Sequence, residues 1–324
     1  MHIPPLVVTI VRNLWYWEWK KLMNGLGPAD KSGNYTRPKS KFSEVLQQSN
    51  KSIERSRFIL VVGRSCPWAH RAWLVWTIRN LRDTIKLVVV EPDRKQGRWR
   101  FVTPLHGCNN LNELYLRCGS TKSQRATVPM ILDEEKMTIV CNESAQMVEL
   151  LNNWPALTDS PELMPNIYQR AIEDLQEIIQ PTVNDGVYRC GFARKQIAYD
   201  KATKALFCTL RNIEDNLSKN GPWLCGHHIT LSDIRLFPTL IRWELVYAPL
   251  FGCSRQFLWQ FPAIWKWRQR LFSLPGVAES CDAEAIVSDY FGSLFPLNPS
   301  GIIPDSPNLA KLVLTLIPDP RNYE

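Results

Sequence analysis

A strand–helix–strand order between residues 57 and 91 constrains the fold of this chain more than any other feature. The apolar run R-F-I-L-V-V-G (57–63) is typical of a buried strand, and I-K-L-V-V-V-E (85–91) is typical of a second. The segment between them (67–81) has helical spacing, with Pro67 at the favoured first helical position. Two strands joined through a helix pair in parallel with a right-handed crossover, so an α/β unit is predicted.

Further elements follow this unit. Residues 93–126 show little periodicity and are interpreted as an insertion. The short apolar runs V-P-M-I-L-D-E (128–134) and M-T-I-V-C (137–141) flank an acidic turn and predict a hairpin. The segment N-E-S-A-Q-M-V-E-L-L-N (142–152) then predicts a helix, which completes a small α/β domain.

The texture of the sequence changes after the proline-rich linker at 154–165, beyond which only helical periodicity is found. Four helices are predicted there, starting near Ile167, Gln196, Leu231 and Pro262. The chain is therefore divided into an N-terminal extension (1–56), an α/β domain (57–153), an all-helical domain (154–295) and a C-terminal tail (296–324) that wraps the body.

Charge and cysteine content exclude several classes of protein. The formal charge of +8 is scattered among acids without a basic block, and no nucleic-acid-binding motif is present, so no nucleic-acid partner is predicted. The nine cysteines form no C-x-x-C pair and several lie in apolar helical stretches. This pattern favours reduced thiols in the cytoplasm and predicts neither a disulfide framework nor a metal site.

The N-terminal extension leaves two interpretations open. Its apolar start, I-P-P-L-V-V-T-I-V, is too short to span a bilayer. The following W-Y-W-E-W-K-K-L-M indicates an amphipathic helix, which either lies on a membrane surface or packs against the protein itself. Packing against the protein is the interpretation that we favour.

Cys66 lies where the first strand ends and Pro67 begins a helix. Unpaired N–H groups and the helix dipole favour a thiolate at such a position, and cysteine pKa values there can fall to ~3.5–7.5. The alternative is a buried packing cysteine. Redox proteins that use two cysteines place a resolving thiol three residues on, but this chain has Ala69 there. Because no local thiol can clear a mixed disulfide, an external thiol such as glutathione is predicted to complete the cycle.

Several motifs together resemble the glutathionyl-hydroquinone reductases, the Xi class of glutathione transferases. The resemblance covers roughly residues 57–305, and it departs from the family pattern in the N-terminal segment, at Leu294 and in the tail. C-P-W-A-H-R alone leaves the omega class open, whereas G-V-Y-R-C-G-F-A favours Xi. The matching segments are C-P-W-A-H-R (66–71), W-R-F (99–101), N-E-L-Y-L-R (112–117), Val128-Pro129, N-E-S (142–144), N-D-G-V-Y-R-C-G-F-A (184–193) and L-S-D-I-R-L-F-P-T-L-I-R (231–242).

The resemblance implies a thioredoxin-like domain followed by an all-helical glutathione-transferase domain, assembled as a homodimer. It implies that Cys66 attacks the sulfur of an aromatic glutathionyl-quinol, releases the hydroquinone and keeps glutathione as a mixed disulfide. A second glutathione then releases oxidised glutathione. Tyr188, Tyr247 and Tyr290 match family tyrosines, and Tyr188 is the expected proton donor while the other two line the substrate pocket.

The glutathione site is also implied by resemblance. Val128, before an expected cis-Pro129, offers backbone groups to the cysteinyl part, and Ser144 at a helix start holds the γ-glutamyl carboxylate. Glu143 takes the ammonium group. Trp99 packs beside the tripeptide, and Arg125 approaches a carboxylate.

Two other functions remain possible alternatives at this point. One is an omega-like thioltransferase or dehydroascorbate reductase, and the other is a non-catalytic, membrane-associating protein that keeps the transferase fold. Two further motifs are interpreted structurally: His70 as a packing residue, and Thr230 with Asp233 as a capping pair that begins a helix.

Overall fold

The computed structural model describes residues 4–37, 57–122, 124–156 and 160–315. Its strands form one sheet in the order β4-β3-β2-β1-β5-β6. β1 and β2 are parallel, as predicted, and the other neighbours are antiparallel. The strands are β1 (Phe58–Gly63), β2 (Lys86–Asp93), β3 (Arg98–Leu105), β4 (Cys108–Asn110), β5 (Met130–Asp133) and β6 (Thr138–Cys141).

The centre and the edge of the sheet differ in burial. Every residue of β1 is buried, since strands flank it on both sides and helices cover it. β5 and β6 form the predicted hairpin. The interpretation of 93–126 as an insertion without regular structure is wrong, because this segment holds β3, β4 and helix α3 (Leu111–Arg117). Most β3 side chains are exposed at this side of the sheet, so its sequence lacks an alternating pattern.

Helices surround the sheet and form the rest of the body. The four helices predicted after the linker are confirmed as α5, α7, α8 and α9. Two π-helical turns, at Gln180–Asn184 and Trp243–Tyr247, interrupt the helical part, and 3₁₀ turns lie at Leu81–Asp83, Asn166–Tyr168, Leu258–Gln260 and Ala278–Ser280. Besides α3, the α-helices of the described residues are α1 (Pro5–Leu26), α2 (Pro67–Ile78), α4 (Ser144–Asn152), α5 (Gln169–Ile179), α6 (Gly186–Gly191), α7 (Gln196–Asn220), α8 (Leu231–Leu240), α9 (Pro262–Phe272), α10 (Ala283–Ser293) and α11 (Leu309–Leu314).

α2 joins the sheet to the helical part, since it packs against both α4 and α8. α8 is buried along its whole length and begins at the predicted capping box of Thr230 and Asp233. The same Asp233 carboxylate accepts a 2.7 Å hydrogen bond from the indole of Trp267 on α9. The structural interpretation of Asp233 is therefore confirmed.

The N-terminal extension packs on the body only in part. The end of α1 docks through Met23, which is buried, and Trp19, whose indole donates to the carbonyl of Pro296 over 3.1 Å. The first half of α1 is exposed throughout, so packing explains only its C-terminal half. Within the described ranges, no helix combines the length and apolarity needed to cross a bilayer. The predicted lead-in at 38–56 lies outside the described residues.

The tail begins with turns over residues 295–300, is extended from 301 to 308, as predicted, and then forms the short helix α11. α11 docks on α9, where the indole of Trp265 donates to the carbonyl of Thr315 over 3.3 Å. The prolines in the tail therefore predict its extended part correctly, but they give no indication of the docked helix α11.

Candidate active site

Cys66 occupies the N-cap of α2, directly after the buried strand β1. Pro67 is the first helical residue, so the first free N–H groups belong to Trp68 and Ala69, and both interact with the sulfur. The sulfur also lies 3.8 Å from the carbonyl oxygen of Val128. The predicted position of Cys66 at the start of a helix is thus confirmed.

The electrostatics of Cys66 differ from the prediction. Burial raises the pKa of its thiol above the ordinary value, although the N–H groups of Ala69 and Trp68 and the charge of Arg242 all lower it. The side chain keeps part of its surface exposed, but protein surrounds it closely enough to remove most of its solvation. The expectation of a strongly acidic thiol is therefore wrong for this structure, because desolvation outweighs the helix terminus.

A buried arginine that sequence reasoning missed fixes the loop before Cys66. Arg242, fully buried after α8, donates to the carbonyl of Ser65 through Nε and Nη2 over 3.2 and 3.1 Å. Its Nη1 reaches the carbonyl of Pro238 and Nδ1 of His70. The signal was a single basic residue in the apolar run F-P-T-L-I-R-W (237–243).

His70 is a hydrogen-bonded core residue, as predicted. Its ring lies between Arg242 and Ser280, and its Nε2 is 2.8 Å from the Ser280 hydroxyl. Burial and the neighbouring Arg242 cation lower its pKa well below the ordinary value. Over the part of the chain that the structure describes, no group of three or more His, Cys, Asp or Glu could hold a metal ion.

The three predicted tyrosines meet in one cluster. The hydroxyl of Tyr188 lies 2.6 Å from that of Tyr290 and 3.4 Å from that of Tyr247, while Tyr247 and Tyr290 are 3.2 Å apart. They come from α6, a π-helical turn and α10, so residues distant in sequence are brought together. Phe251 packs against all three rings.

Burial governs the electrostatics of the cluster. It raises the pKa of Tyr247 above the ordinary value, although the cation of Arg242 and the hydrogen bonds from Tyr188 and Tyr290 lower it. Burial also raises the pKa values of Tyr188 and Tyr290 well above the ordinary one. All three phenols are therefore neutral at physiological pH and can act as proton donors.

The N-terminal extension contributes a wall that sequence reasoning did not predict. We call residues 27–37 the strap. Within it, the ring of Tyr35 lies 6.4 Å from that of Tyr188 and 5.4 Å from that of Phe192. Arg37 places its guanidinium 3.6 Å from the centre of the Trp68 ring, and its Nη1 lies 3.2 Å from an oxygen of Asp185.

Arg37 of the strap is the first of three groups that stack on one another towards the substrate pocket. Trp68 stacks on Tyr188 with ring centres 5.9 Å apart, so Arg37, Trp68 and Tyr188 lie in sequence. Arg37 and Asp185 are 148 residues apart in sequence, and nothing in the local pattern indicates this contact. The available signal was Trp68 itself, an aromatic residue in the first turn of α2.

Val128 and Trp99, two further predicted site residues, lie at the C-terminal end of β1, directly before the loop that carries Cys66. The Val128–Pro129 bond is cis, as expected, and Val128 faces Gly63. A Cβ atom at Gly63 would come within 2.7 Å of the Trp99 ring and 2.8 Å of Val128. The structure therefore brings Trp99, Val128 and the end of β1 into direct proximity.

Glu143 and Ser144 begin α4, as the sequence predicts. The Glu143 carboxylate accepts from the N–H of Ala145 over 3.4 Å. The hydroxyl of Ser144 is buried without a hydrogen-bond partner among the described residues, which suits a ligand carboxylate at a helix start. Arg125 is exposed. Burial raises the pKa of Tyr35 in the strap, and the charges of Arg37 and Arg125 oppose this rise.

Two family models match the chain. The N-terminal domain of glutathione S-transferase matches residues 65–154, and the C-terminal domain of glutathione S-transferase matches residues 196–270. Together with the structural matches below, they confirm the predicted order of a thioredoxin-like domain followed by an all-helical transferase domain.

Proteins with similar sequences are named either glutathionyl-hydroquinone reductase or omega-like glutathione S-transferase. The glutathionyl-hydroquinone reductase YqjG of Escherichia coli is 34% identical over 264 residues, which cover 78% of this chain and 80% of that protein. The glutathione S-transferase omega-like 2 of Schizosaccharomyces pombe is 32% identical and covers 86% of this chain and 95% of its own.

Solved structures agree with these matches. The glutathione S-transferase Xi of Phanerochaete chrysosporium superposes with a TM-score of 0.80 at 30% identity, covering 86% of this chain and 95% of its own. The glutathione-bound structure of YqjG superposes with a TM-score of 0.73 and covers 78% of this chain and 86% of that one.

Proposed function

Because the chain belongs to the glutathione S-transferase family, in its Xi class of glutathionyl-hydroquinone reductases, we propose that it reduces glutathionyl-hydroquinones through Cys66. The co-substrate is glutathione. The observation that carries the proposal is a cluster of three neutral phenols beside the helix that Cys66 begins, where Trp68 of α2 stacks on Tyr188.

In the first half-reaction, Cys66 gives up its proton and attacks the sulfur of the glutathionyl-hydroquinone as a thiolate, which is the minor form at rest because burial raises the pKa of the thiol. A sulfur–sulfur bond forms, the aryl carbon–sulfur bond breaks, and its electron pair remains on the carbon. Protonation of that carbon releases the hydroquinone. The two sulfurs are oxidised to the disulfide level while the aromatic carbon is reduced.

Tyr188 supplies the proton in this proposal. Its hydroxyl is hydrogen-bonded to both neighbouring phenols, and burial keeps it protonated by raising its pKa. Tyr247 and Tyr290 bind the quinol oxygens and replace the lost proton along the hydrogen-bonded cluster. The aromatic rings of the cluster provide an apolar surface for the substrate ring.

In the second half-reaction, a glutathione thiolate attacks the mixed disulfide. Oxidised glutathione leaves, and Cys66 recovers its thiolate. Arg242 favours this thiolate, since its cation lowers the pKa of Cys66 against the effect of burial. No second protein cysteine takes part, because position 69 is an alanine.

Glutathione is held at the C-terminal end of β1 and the start of α4. Val128 offers its backbone groups to the cysteinyl part, and the unpaired hydroxyl of Ser144 binds the γ-glutamyl carboxylate. Glu143 pairs with the ammonium group, Trp99 packs beside the tripeptide, and Arg125 approaches a carboxylate from the solvent side.

We assign these roles to separate parts of the chain. Residues 57–153 bind glutathione and residues 154–295 form the aromatic pocket, flanked by the extension (1–56) and the tail (296–324). We further propose a homodimer in the cytoplasm, a reducing compartment that supplies glutathione. Sedimentation of the purified protein tests the dimer, and fractionation of the source cells tests the compartment.

The decisive experiment offers glutathionyl-menadiol and dehydroascorbate side by side to the wild type, Cys66→Ala and Cys118→Ala. Cys118 is also half-buried and serves as the matched control. We expect faster turnover of glutathionyl-menadiol, loss of it in Cys66→Ala, and unchanged rates in Cys118→Ala. Faster turnover of dehydroascorbate by the wild type would instead support the omega-like alternative, and an active Cys66→Ala would remove the proposed nucleophile.

A further inference from the structure

The first half of α1 is an apolar surface without a cover among the described residues. Every residue from Pro4 to Trp17 is exposed, and Leu6 and Trp17 expose 71% and 62% of their surface. Isolated exposed apolar residues are ordinary, but a contiguous group of this size marks an interaction surface. We call it the α1 surface, and its large apolar members are Leu6, Val7, Val8, Ile10, Val11, Leu14, Trp15, Tyr16 and Trp17.

The angular spread of these side chains identifies the kind of partner. At about 100° per residue, all of them except Tyr16 fall within an arc about 200° wide. A partner helix covers a narrower stripe, closer to about 100°. An arc of this width, with Arg12 outside it on the polar side of the helix, suits an interfacial helix that sinks its apolar half into the acyl boundary of a lipid layer.

The order of residues along α1 matches the depth profile of a membrane surface. Aliphatic residues come first, the aromatic group Trp15–Trp17 follows, and Lys20 and Lys21 come last. Aromatic rings favour the headgroup boundary, and lysines extend into the headgroups. From Pro5 to Trp17 the helix measures ~20 Å, which reaches into one leaflet and not across a core of ~30 Å.

Charge favours anionic lipids over neutral ones. α1 carries three basic residues, Arg12, Lys20 and Lys21, and a single acid, Glu18. Lys20 lies 4.3 Å from the centre of the Tyr16 ring, and Lys21 lies 5.3 Å from that of Trp17, so the positive charges flank the aromatic group directly. Basic residues near an anionic bilayer surface strengthen the binding.

The tail extends the same surface. Phe295 contacts Trp15 with ring centres 6.3 Å apart, and both side chains are exposed on their outer sides. Ile302, further along the tail, is exposed as well. Both segments also lead to the substrate pocket, since α1 continues into the strap with Tyr35 and Phe295 follows the helix that carries Tyr290.

From these observations, we propose that the α1 surface binds this enzyme to membranes that contain anionic lipids. The bound segment is the exposed half of α1 together with Phe295, and the docked half of α1 with Trp19 and Met23 connects it rigidly to the body. The inference does not depend on the proposed reaction.

Vesicle flotation with the full chain tests this inference. Phosphatidylcholine vesicles with and without phosphatidylglycerol are the probes. The test variant is the double substitution Val11→Glu and Leu14→Glu, and the control is Ile167→Glu, which is 84% exposed on another part of the protein. Turnover of glutathionyl-menadiol in solution, together with thermal unfolding, verifies that each variant is folded.

We expect wild type and Ile167→Glu to float with the anionic vesicles. The fraction of the double variant bound to vesicles should be at least about tenfold lower than that of the wild type, since two apolar contacts become charges. High salt should weaken binding, because it screens the lysines. The inference is overturned if the wild type remains in the bottom fractions with unbound protein. It is equally overturned if the double variant floats as well as the wild type. It is also overturned if sedimentation shows that the substitutions dissociate a dimer while vesicles bind neither form.

Discussion

The hydroxyl of Tyr188 is held within hydrogen-bonding distance of two other phenols, so replacing it removes a proton donor without opening the core. In Tyr188→Phe, we expect release of hydroquinone to slow by about a hundredfold, the usual contribution of a positioned general acid. Glutathione binding should not change, because Ser144, Glu143 and Val128 lie on other elements.

Stopped-flow release of the quinol and calorimetry with glutathione measure the two effects of Tyr188→Phe. Tyr199→Phe is the matched control, since its half-buried hydroxyl donates to the carbonyl of Gly252 and not to the cluster. Unchanged quinol release in Tyr188→Phe would show that another group protonates the leaving carbon.

Because of His70, the free energy of unfolding depends on pH in the acidic range. Its pKa lies well below the ordinary 6.5 because the ring is buried beside Arg242. As pH falls below about 6.5, the unfolded chain binds a proton that the folded ring cannot accept, so the free energy of unfolding decreases. The loss is at most about 1.4 kcal/mol per pH unit and stops only below the pKa of the folded state.

Urea unfolding of wild type, His70→Gln and His227→Gln between about pH 7 and pH 5 measures this contribution. We expect a shallower acid dependence in His70→Gln, while the variant of the exposed His227 follows the wild type. Parallel curves for all three proteins would mean that His70 accepts a proton in the folded state.

At the residue scale, sequence reasoning found the position of Cys66 but not the pKa of its thiol. Position follows from local signals, namely a strand that ends and a proline that begins a helix. The pKa depends on how closely distant elements surround the sulfur, including the segment of Arg242 and the helix of Asp289. Neither is visible in the residues around Cys66.

The side chain of Arg37 explains how the strap contributes to the aromatic pocket. Arg37 stacks on Trp68 and pairs with Asp185, which orients the wall beside Tyr188. In Arg37→Ala, we expect the KM for the aromatic substrate to rise by about tenfold, as a lost cation–π contact and ion pair predict. The KM for glutathione should change much less.

Steady-state kinetics with each substrate varied in turn check the effect of Arg37→Ala. Arg37→Lys keeps the charge but loses the planar stack, so it should recover only part of the KM. Lys31→Ala, an exposed position in the same strap, is the control. Equal increases in both KM values would indicate that the strap supports the whole site and not the aromatic pocket.

Elements were predictable where burial leaves a pattern in the sequence. Helices α5, α7, α8 and α9 have a helical period, and the central strand β1 and the hairpin have short continuous apolar runs. β3 and the strap do not, because β3 is mostly exposed and the strap is held by side-chain contacts across 148 residues. A local pattern cannot report a contact of that separation.

Across the whole molecule, Arg242 is one of the residues that join the two halves of the site. It satisfies the carbonyls of Ser65 and Pro238 and contacts His70, so its removal leaves buried polar groups without a donor. We expect Arg242→Ala to lower the free energy of unfolding by about 3 kcal/mol. Arg211→Ala, at an exposed site, should change it by less than about 0.5 kcal/mol.

Equilibrium unfolding in urea measures both arginine variants. A near-neutral Arg242→Ala would mean that water replaces the guanidinium, and that the helical part does not fix the loop before Cys66. The family matches establish how the two halves follow one another in the chain, whereas this contact was unpredictable from sequence because it joins positions 177 residues apart.

Eight of the nine thiols are buried or half-buried, and Cys208 on α7 alone is exposed. Maleimide dyes should therefore react first at α7, and a Cys208→Ser background is needed before alkylation can be read as chemistry at Cys66. The same position offers a single attachment point for a fluorescent donor. Energy transfer from it to acceptor lipids would report the orientation of the bound enzyme without altering the pocket.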